Sequence, residues 1–236
     1  MKKLLLVTML SFPLIGHAEF WKAQSTENHK IFKEYPFDMY KSDFMRKFPM
    51  FGRCQFDSDV KICAPEAYEK LYDIPFNIVI MLDKDRTNSV KLRPSEYSIS
   101  RSEFWGLFRG LVKSGFVLYQ IKDGKDLANI FQDMFDSAEK GKKINRVSDK
   151  LDILESKQST EQTLFYLEKS KLDSILLKGK SRFSSKEEIM EKLPADTRFI
   201  EMNVRSSEGQ MYWIELNISI PKLKVSTIDD RPAEKF

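Results

Sequence analysis

The sequence predicts an α+β fold: a mainly antiparallel sheet covered by helices, with an aromatic-rich helical N-terminal segment and a C-terminal β-hairpin. Three observations carry this. Ile214, Leu216, Ile218 and Ile220 alternate with Trp213, Glu215, Asn217 and Ser219, the period-two pattern of a half-buried strand. The run 76–82, Phe-Asn-Ile-Val-Ile-Met-Leu, is rich in β-branched residues and short enough for a central strand. Ser100 with Glu103 forms a capping box ahead of Phe104, Leu107, Phe108 and Leu111, which share one helical face.

In chain order, Lys2 and Lys3 open an apolar run over 4–15, and Gly16, His17 and Ala18 follow. A charged start, a short apolar core and small residues at the exit define a secretory signal peptide, cut between Ala18 and Glu19. The run is too short to cross the ~30 Å hydrocarbon layer as a helix, and no later stretch is longer, so no membrane span is expected after cleavage. Residues 19–221 are expected to form one domain, with a possible sub-boundary near 141–148, and residues 222–236 a mobile tail.

Between Glu19 and Phe56 aromatics are dense, and Tyr40, Phe44 and Phe48 recur at four-residue spacing, so a short helix capped by Asp38 is expected. Pro65 is expected to start a helix running to Tyr72. After the 76–82 strand come a polar turn over 83–89 and a short strand over 90–93 stopped by Pro94. The Ser100 helix stops at Gly115, and Phe116 to Ile121 reads as a buried strand. Asp123 then caps a helix with Leu127, Ile130, Phe131, Met134 and Phe135 inward.

Beyond Gly141 the spacing predicts charged helices. Ser148 caps one through Leu151 and Leu154, Ser159 with Gln162 a second over 164–177, and Ser184 with Glu187 a third closed by Pro194. The terminal hairpin follows, 199–204 and 211–220 around a turn at 206–209.

Charge narrows the function. Removing Lys2 and Lys3 from 39 basic residues leaves 37 against 35 acidic, a formal +2. A chain built to neutralise phosphates concentrates its Lys and Arg, and here the signs are mostly interleaved, so no nucleic-acid partner is expected. Residues 140–182 are the exception, with eleven basic and six acidic side chains, and they read as a solvated helical surface.

Cys54 and Cys63 are the only cysteines, and in an exported chain they are expected to form a disulfide. Closing so short a loop removes about 2–3 kcal/mol of unfolded-state entropy. Their spacing is not the Cys-x-x-Cys of redox dithiols.

Chemical signatures are scarce. His29 alone survives processing, which removes multi-histidine zinc sites and leaves one poor candidate for a nucleophilic triad. Asp57 and Asp59, and Asp83 and Asp85, lack calcium-loop spacing. Ser137 with Lys140 matches Ser-x-x-Lys without the companion elements of penicillin-binding enzymes. No phosphate-cradling glycine motif occurs, so no cofactor, metal ligand or catalytic residue is assigned.

The resulting expectation is an exported periplasmic protein that acts by binding another envelope or periplasmic protein. It would be an accessory component of an envelope assembly or secretion apparatus, or the neutralising partner of a toxin. The expected contacts are Phe20 and Trp21 on the N-terminal arm and Tyr212 and Trp213 on the hairpin. The alternative is a cell-wall glycoside hydrolase using paired carboxylates, for which Glu103 and Glu201 are the candidates.

Overall fold

A computed structural model of the chain describes residues 29–56, 59–156, 158–176 and 183–226. The expected signal peptide and its cleavage point lie outside them. The described chain opens with β1 (Lys30–Phe32), β2 (Tyr35–Pro36), α1 (Lys41–Lys47), β3 (Gly52–Arg53), β4 (Lys61–Cys63) and β5 (Glu69–Leu71). There follow β6 (Ile74–Asp83), β7 (Arg86–Pro94), β8 (Ile99–Ser100), α2 (Arg101–Lys113), β9 (Phe116–Asp123), β10 (Asp126–Asn129) and α3 (Ile130–Lys140). The last part is α4 (Arg146–Glu155), β11 (Thr160–Glu168), α5 (Lys169–Leu176), α6 (Lys186–Lys192), β12 (Phe199–Ser207) and β13 (Met211–Ser219). The class is α+β, and the strand pairs are antiparallel.

One eleven-stranded sheet organises the molecule, in the order β10-β9-β11-β12-β13-β7-β6-β4-β3, with β5 added beside β6 and β8 beside β13. Alternation decides what each face does. Ile78 and Ile80 of β6, Val90 and Leu92 of β7, Leu216 and Ile218 of β13, Met202 of β12 and Leu164 of β11 are buried on one face. Against them pack Phe44 of α1, Phe104, Leu107 and Leu111 of α2, and Val147 and Leu154 of α4. On the other face a smaller cluster covers one corner, where Leu167 and Tyr119 meet Phe131 of α3, Leu172 of α5 and Ile189 of α6.

The capping box holds: Ser100 accepts from the Glu103 amide, and the Glu103 carboxylate accepts from the Ser100 amide at 2.8 Å. The terminal hairpin also has the expected inward set, with Arg205 opposite Trp213 and Met202 opposite Leu216. Cys54 and Cys63 are bonded, with their Cα atoms 5.2 Å apart, and the bond closes the loop between β3 and β4.

Several expected helices are strands. The 65–72 segment forms β5, paired with β6 through a two-residue turn in which Tyr72 and Asp73 take positive φ of 51° and 70°. Ala67, also at positive φ, donates its amide to Asn77 Oδ1, so the segment's polar groups are met by the sheet. The 83–89 turn shrinks to Lys84 and Asp85, both at positive φ, and β7 begins at Arg86. Asp123 caps nothing, because 126–129 returns as β10. Asn129 caps α3 instead, accepting from the amides of Phe131 and Gln132, while Leu127 and Met134 stay exposed.

The helix expected over 164–177 is present only as α5, Lys169–Leu176; the largest correction concerns Thr160–Glu168, where the Ser-x-x-Gln spacing of 159–162 is coincidental. This is β11, hydrogen-bonded to β9 on one side and β12 on the other. Gln162 spends its amide on Asp123 and the Lys150 carbonyl rather than on a helix end. Its apolar residues serve both faces, so no clean period two marks the strand. Smaller shifts follow local caps: α4 starts at Arg146, ahead of Ser148, and α6 is capped by Ser185, one residue after Ser184.

Asp38 does not cap α1, whose first flanking residue is Tyr40. Its carboxylate instead accepts the Ser226 amide at 2.8 Å, beside the buried Arg86. The expected mobile tail is therefore packed at least to Ser226: Val225 is 6% exposed, and Lys222 donates to the carbonyls of Glu191 and Leu193. Residues 227–236 lie outside the described range.

The β12–β13 turn gives a test of this packing. Gly209 has φ +64°, and a Cβ there would lie 2.6 Å from the Ser156 carbonyl oxygen. Gly209→Ala should therefore lower the unfolding free energy by about 1–3 kcal/mol. Gly106, inside α2 with nothing within 4 Å of a new Cβ, is the control. There Ala should be neutral or stabilise by up to ~1 kcal/mol, both read from urea unfolding midpoints.

Candidate functional site

Among the described residues, the sheet face opposite the main core is covered at one corner only. Beyond the cluster around Leu167, the side chains of β11, β12, β13 and β7 on this face remain partly or fully exposed, apart from Ser89 of β7. Strand register places them in rows. Glu161, Arg205 and Trp213 lie side by side across β11, β12 and β13. A second row runs Phe165, Glu201, Asn217, Lys91 and Val79, from the covered corner to β6.

Trp213 ends the first row, next to Arg205. The Arg205 guanidinium lies 4.8 Å over its ring, and the Tyr97 ring meets it edge-on at 6.0 Å. Tyr97 itself is 83% exposed, carried by the loop between β7 and β8. Trp213 Nε1 is buried with no acceptor among the described residues. A cation over an indole contributes ~0.5–1 kcal/mol at an exposed site, so the arrangement is held in place before anything binds.

Beside this platform the polar groups are mutually engaged. Lys91 Nζ reaches the Glu215 carboxylate at 3.0 Å, and Arg93 also donates to it. Burial pushes the Glu215 carboxyl up, but these two cations outweigh it and hold it below the usual carboxylate range. Thr163 donates to Asn203 Oδ1 at 2.9 Å. At the covered corner, burial and then the charge of Glu201 push the Tyr119 hydroxyl up to about 12.

The expected contact residues fare differently. Trp213 sits on the open face. Tyr212 does not: its neighbouring position turns it inward, where it is fully buried, stacked on Phe104 at 4.3 Å and donating to the Leu154 carbonyl. A strand cannot present two successive side chains to the same surface. Phe20 and Trp21 lie outside the described residues. Tyr40 and Phe44, from the same aromatic segment, are core.

The carboxylates proposed for hydrolysis are not brought together. Glu103 belongs to the first turn of α2, on the side of the main core, whereas Glu201 points to the opposite face of the sheet. Glu103 is also held below its usual range by the Ser100 hydroxyl and amide, the reverse of what a general acid needs. Ser137 Oγ accepts the Ile144 amide and is part of the α3–α4 connection. Among the described residues no group of three or more His, Cys, Asp or Glu could hold a metal ion, and no helix is long and apolar enough to cross a membrane.

Tyr97 and Arg205 were not singled out by sequence. The expected turn at 206–209 would pair Arg205 with Gln210; the turn instead lies at 208–210, between Ser207 and Met211, and this register places Arg205 across from Trp213. Nothing local marks Tyr97, which meets the indole only because the loop after β7 crosses the end of β13. Searches against protein-family models, curated proteins and solved structures find no match to this chain.

The Glu215 cluster has a pH signature. Folding lowers the affinity of this carboxyl for protons, so its stabilisation is present above the ordinary carboxylate range and is lost as pH falls through it. Glu215→Gln should lose less stability than the parent between about pH 5 and pH 3, measured as the shift in urea midpoint between those two values.

Proposed function

We propose that this chain is an exported periplasmic protein that works by binding another protein of the cell envelope, with the open sheet face around Trp213 as the contact. The lysine-led apolar N-terminus and the Cys54–Cys63 disulfide support export. The observation that carries the binding reading is the platform of Trp213, Tyr97 and Arg205 on a sheet face that the described residues leave uncovered. Tryptophan, tyrosine and arginine dominate the energetics of protein interfaces, because each joins a large contact area to a polar group at low entropic cost. The role fits an accessory component of an envelope assembly or secretion apparatus, or the neutralising partner of a delivered toxin.

Affinity capture of the mature protein from a gentle envelope extract tests the reading. A specific partner should be recovered, and Tyr97→Ala or Arg205→Glu should weaken its binding by about tenfold or more, equivalent to ~1.4 kcal/mol, with unchanged urea midpoints. Trp213→Ala should do the same with a larger effect. Equal recovery by all three variants would remove this face as the contact.

A further inference from the structure

A second surface lies around the end of the same hairpin, on the α2 side. Arg101, Trp105 and Arg109 follow one another at four-residue spacing and form a stripe along α2. It is not the core stripe of that helix, which is Phe104, Leu107 and Leu111. The stripe borders a cleft whose far wall is Glu155 at the end of α4 and Gln210 and Met211 at the start of β13.

The chemistry of the cleft is cationic and apolar together. Arg109 is exposed and has no carboxylate within ion-pair distance among the described residues. Arg101 has one partner, Glu155 at 3.5 Å, and both side chains are about half exposed. Glu103, the other nearby acid, is already engaged by the Ser100 amide and hydroxyl. Of the two guanidinium groups, Arg101 thus has one loosely held carboxylate and Arg109 has none among the described residues. Between them Trp105 is fixed edge-on against Phe104 at 4.9 Å and Phe108 at 5.2 Å, and Met211 across the cleft is substantially exposed. The indole is therefore positioned in advance, and filling the cleft costs little side-chain ordering.

We propose that this cleft receives an acidic segment of the partner protein, with carboxylates on Arg101 and Arg109 and an apolar side chain between Trp105 and Met211. The inference rests on the protein-binding reading above and adds the chemistry of what is bound. Guanidinium groups spaced along a helix pair with carboxylates through two parallel hydrogen bonds each, and a flanking apolar surface selects a segment in which acids surround a Leu or Phe. Charge would steer the encounter, and the apolar contact would hold it.

The probe is a fluorescein-labelled synthetic peptide, Asp-Glu-Asp-Leu-Phe-Glu-Asp-Glu, titrated into the mature protein and followed by fluorescence anisotropy, with the Trp105 indole resonance followed by NMR. Saturable binding is expected, with a shift of that resonance. Arg109→Glu should weaken it by about tenfold, Arg109→Ala by less, and replacement of the peptide's Leu and Phe by Ser by about tenfold. Tyr97→Ala should leave peptide binding unchanged.

No saturation up to about 1 mM peptide, or equal binding by Arg109→Glu, would overturn the proposal. So would binding of anionic lipid vesicles that depends on Arg101 and Arg109 while the peptide does not bind. Partner capture that survives Arg109→Glu but is lost with Tyr97→Ala would overturn this inference and leave the Trp213 reading standing. The reverse pattern would do the opposite.

Discussion

Burial of one face of a continuous antiparallel sheet is the constraint from which the remaining structure follows. Ile78, Ile80, Val90, Leu92, Leu216 and Ile218 each contribute about 1.5–3 kcal/mol when removed from water. A register slip of a single residue in β6, β7 or β13 would turn that strand's entire set toward solvent. The register is therefore firmly specified, and with it the rows of residues on the opposite face. Trp213 meets Arg205, and Asn217 meets Lys91, because the other side of the same strands had to be dry. The surface available for function is thus a by-product of where the core lies.

A second constraint ties distant parts of the chain to that sheet. Arg86, at the start of β7, is 2% exposed and lies 3.5 Å over the Tyr40 ring. It donates to the Asp38 carbonyl at 2.8 Å and lies 3.6 Å from the Asp38 carboxylate. Asp38 is equally buried, takes a left-handed φ of 61°, and accepts the amide of Ser226 from the far end of the described chain. A buried cation is tolerated only when its charge and donors are met, so the N-terminal layer and the C-terminal segment are held together by the same requirement. Thr87 adds to it by donating to the Pro36 carbonyl and accepting from the Met39 amide. Together these contacts explain why α1 begins at Lys41, and why Asp38 is absent from its cap.

The legible parts of the chain were those whose signals are local. The Ser100–Glu103 box needs only four residues, and the alternation through β13 needs only one strand and one buried face. The disulfide followed from having a single pair of cysteines in a chain expected to be exported. The misread parts were those where a neighbour supplied the decisive partner. Ser159 and Gln162 have the spacing of a capping box, yet β12 claims the backbone between them and β9 joins from Gln162 onward. Pro65 could open a helix, yet the 69–71 backbone pairs with β6 and Asn77 satisfies Ala67. Asp123 could cap one too, until β10 folded back along β9. Of the candidate contacts, Trp213 and Tyr212 looked equivalent as aromatic neighbours, and strand parity sent one to solvent and the other into the core.

The sequence by itself determined the α+β class, the hairpin with its inward face, the capped helix before Phe104 and the cysteine pair, since each depends on periodicity or on residues close in the chain. Only the tertiary structure decided that β11 is an interior strand, that the 222–226 segment is docked, and that Tyr97 and Arg205 converge on Trp213. Apart from Arg205, which is close to Trp213 in the chain but depends on the hairpin register, those outcomes depend on hydrogen-bond and ring partners tens to more than a hundred residues away. Local propensity contains no record of such partners, and the free energy of burying a shared face outweighs it.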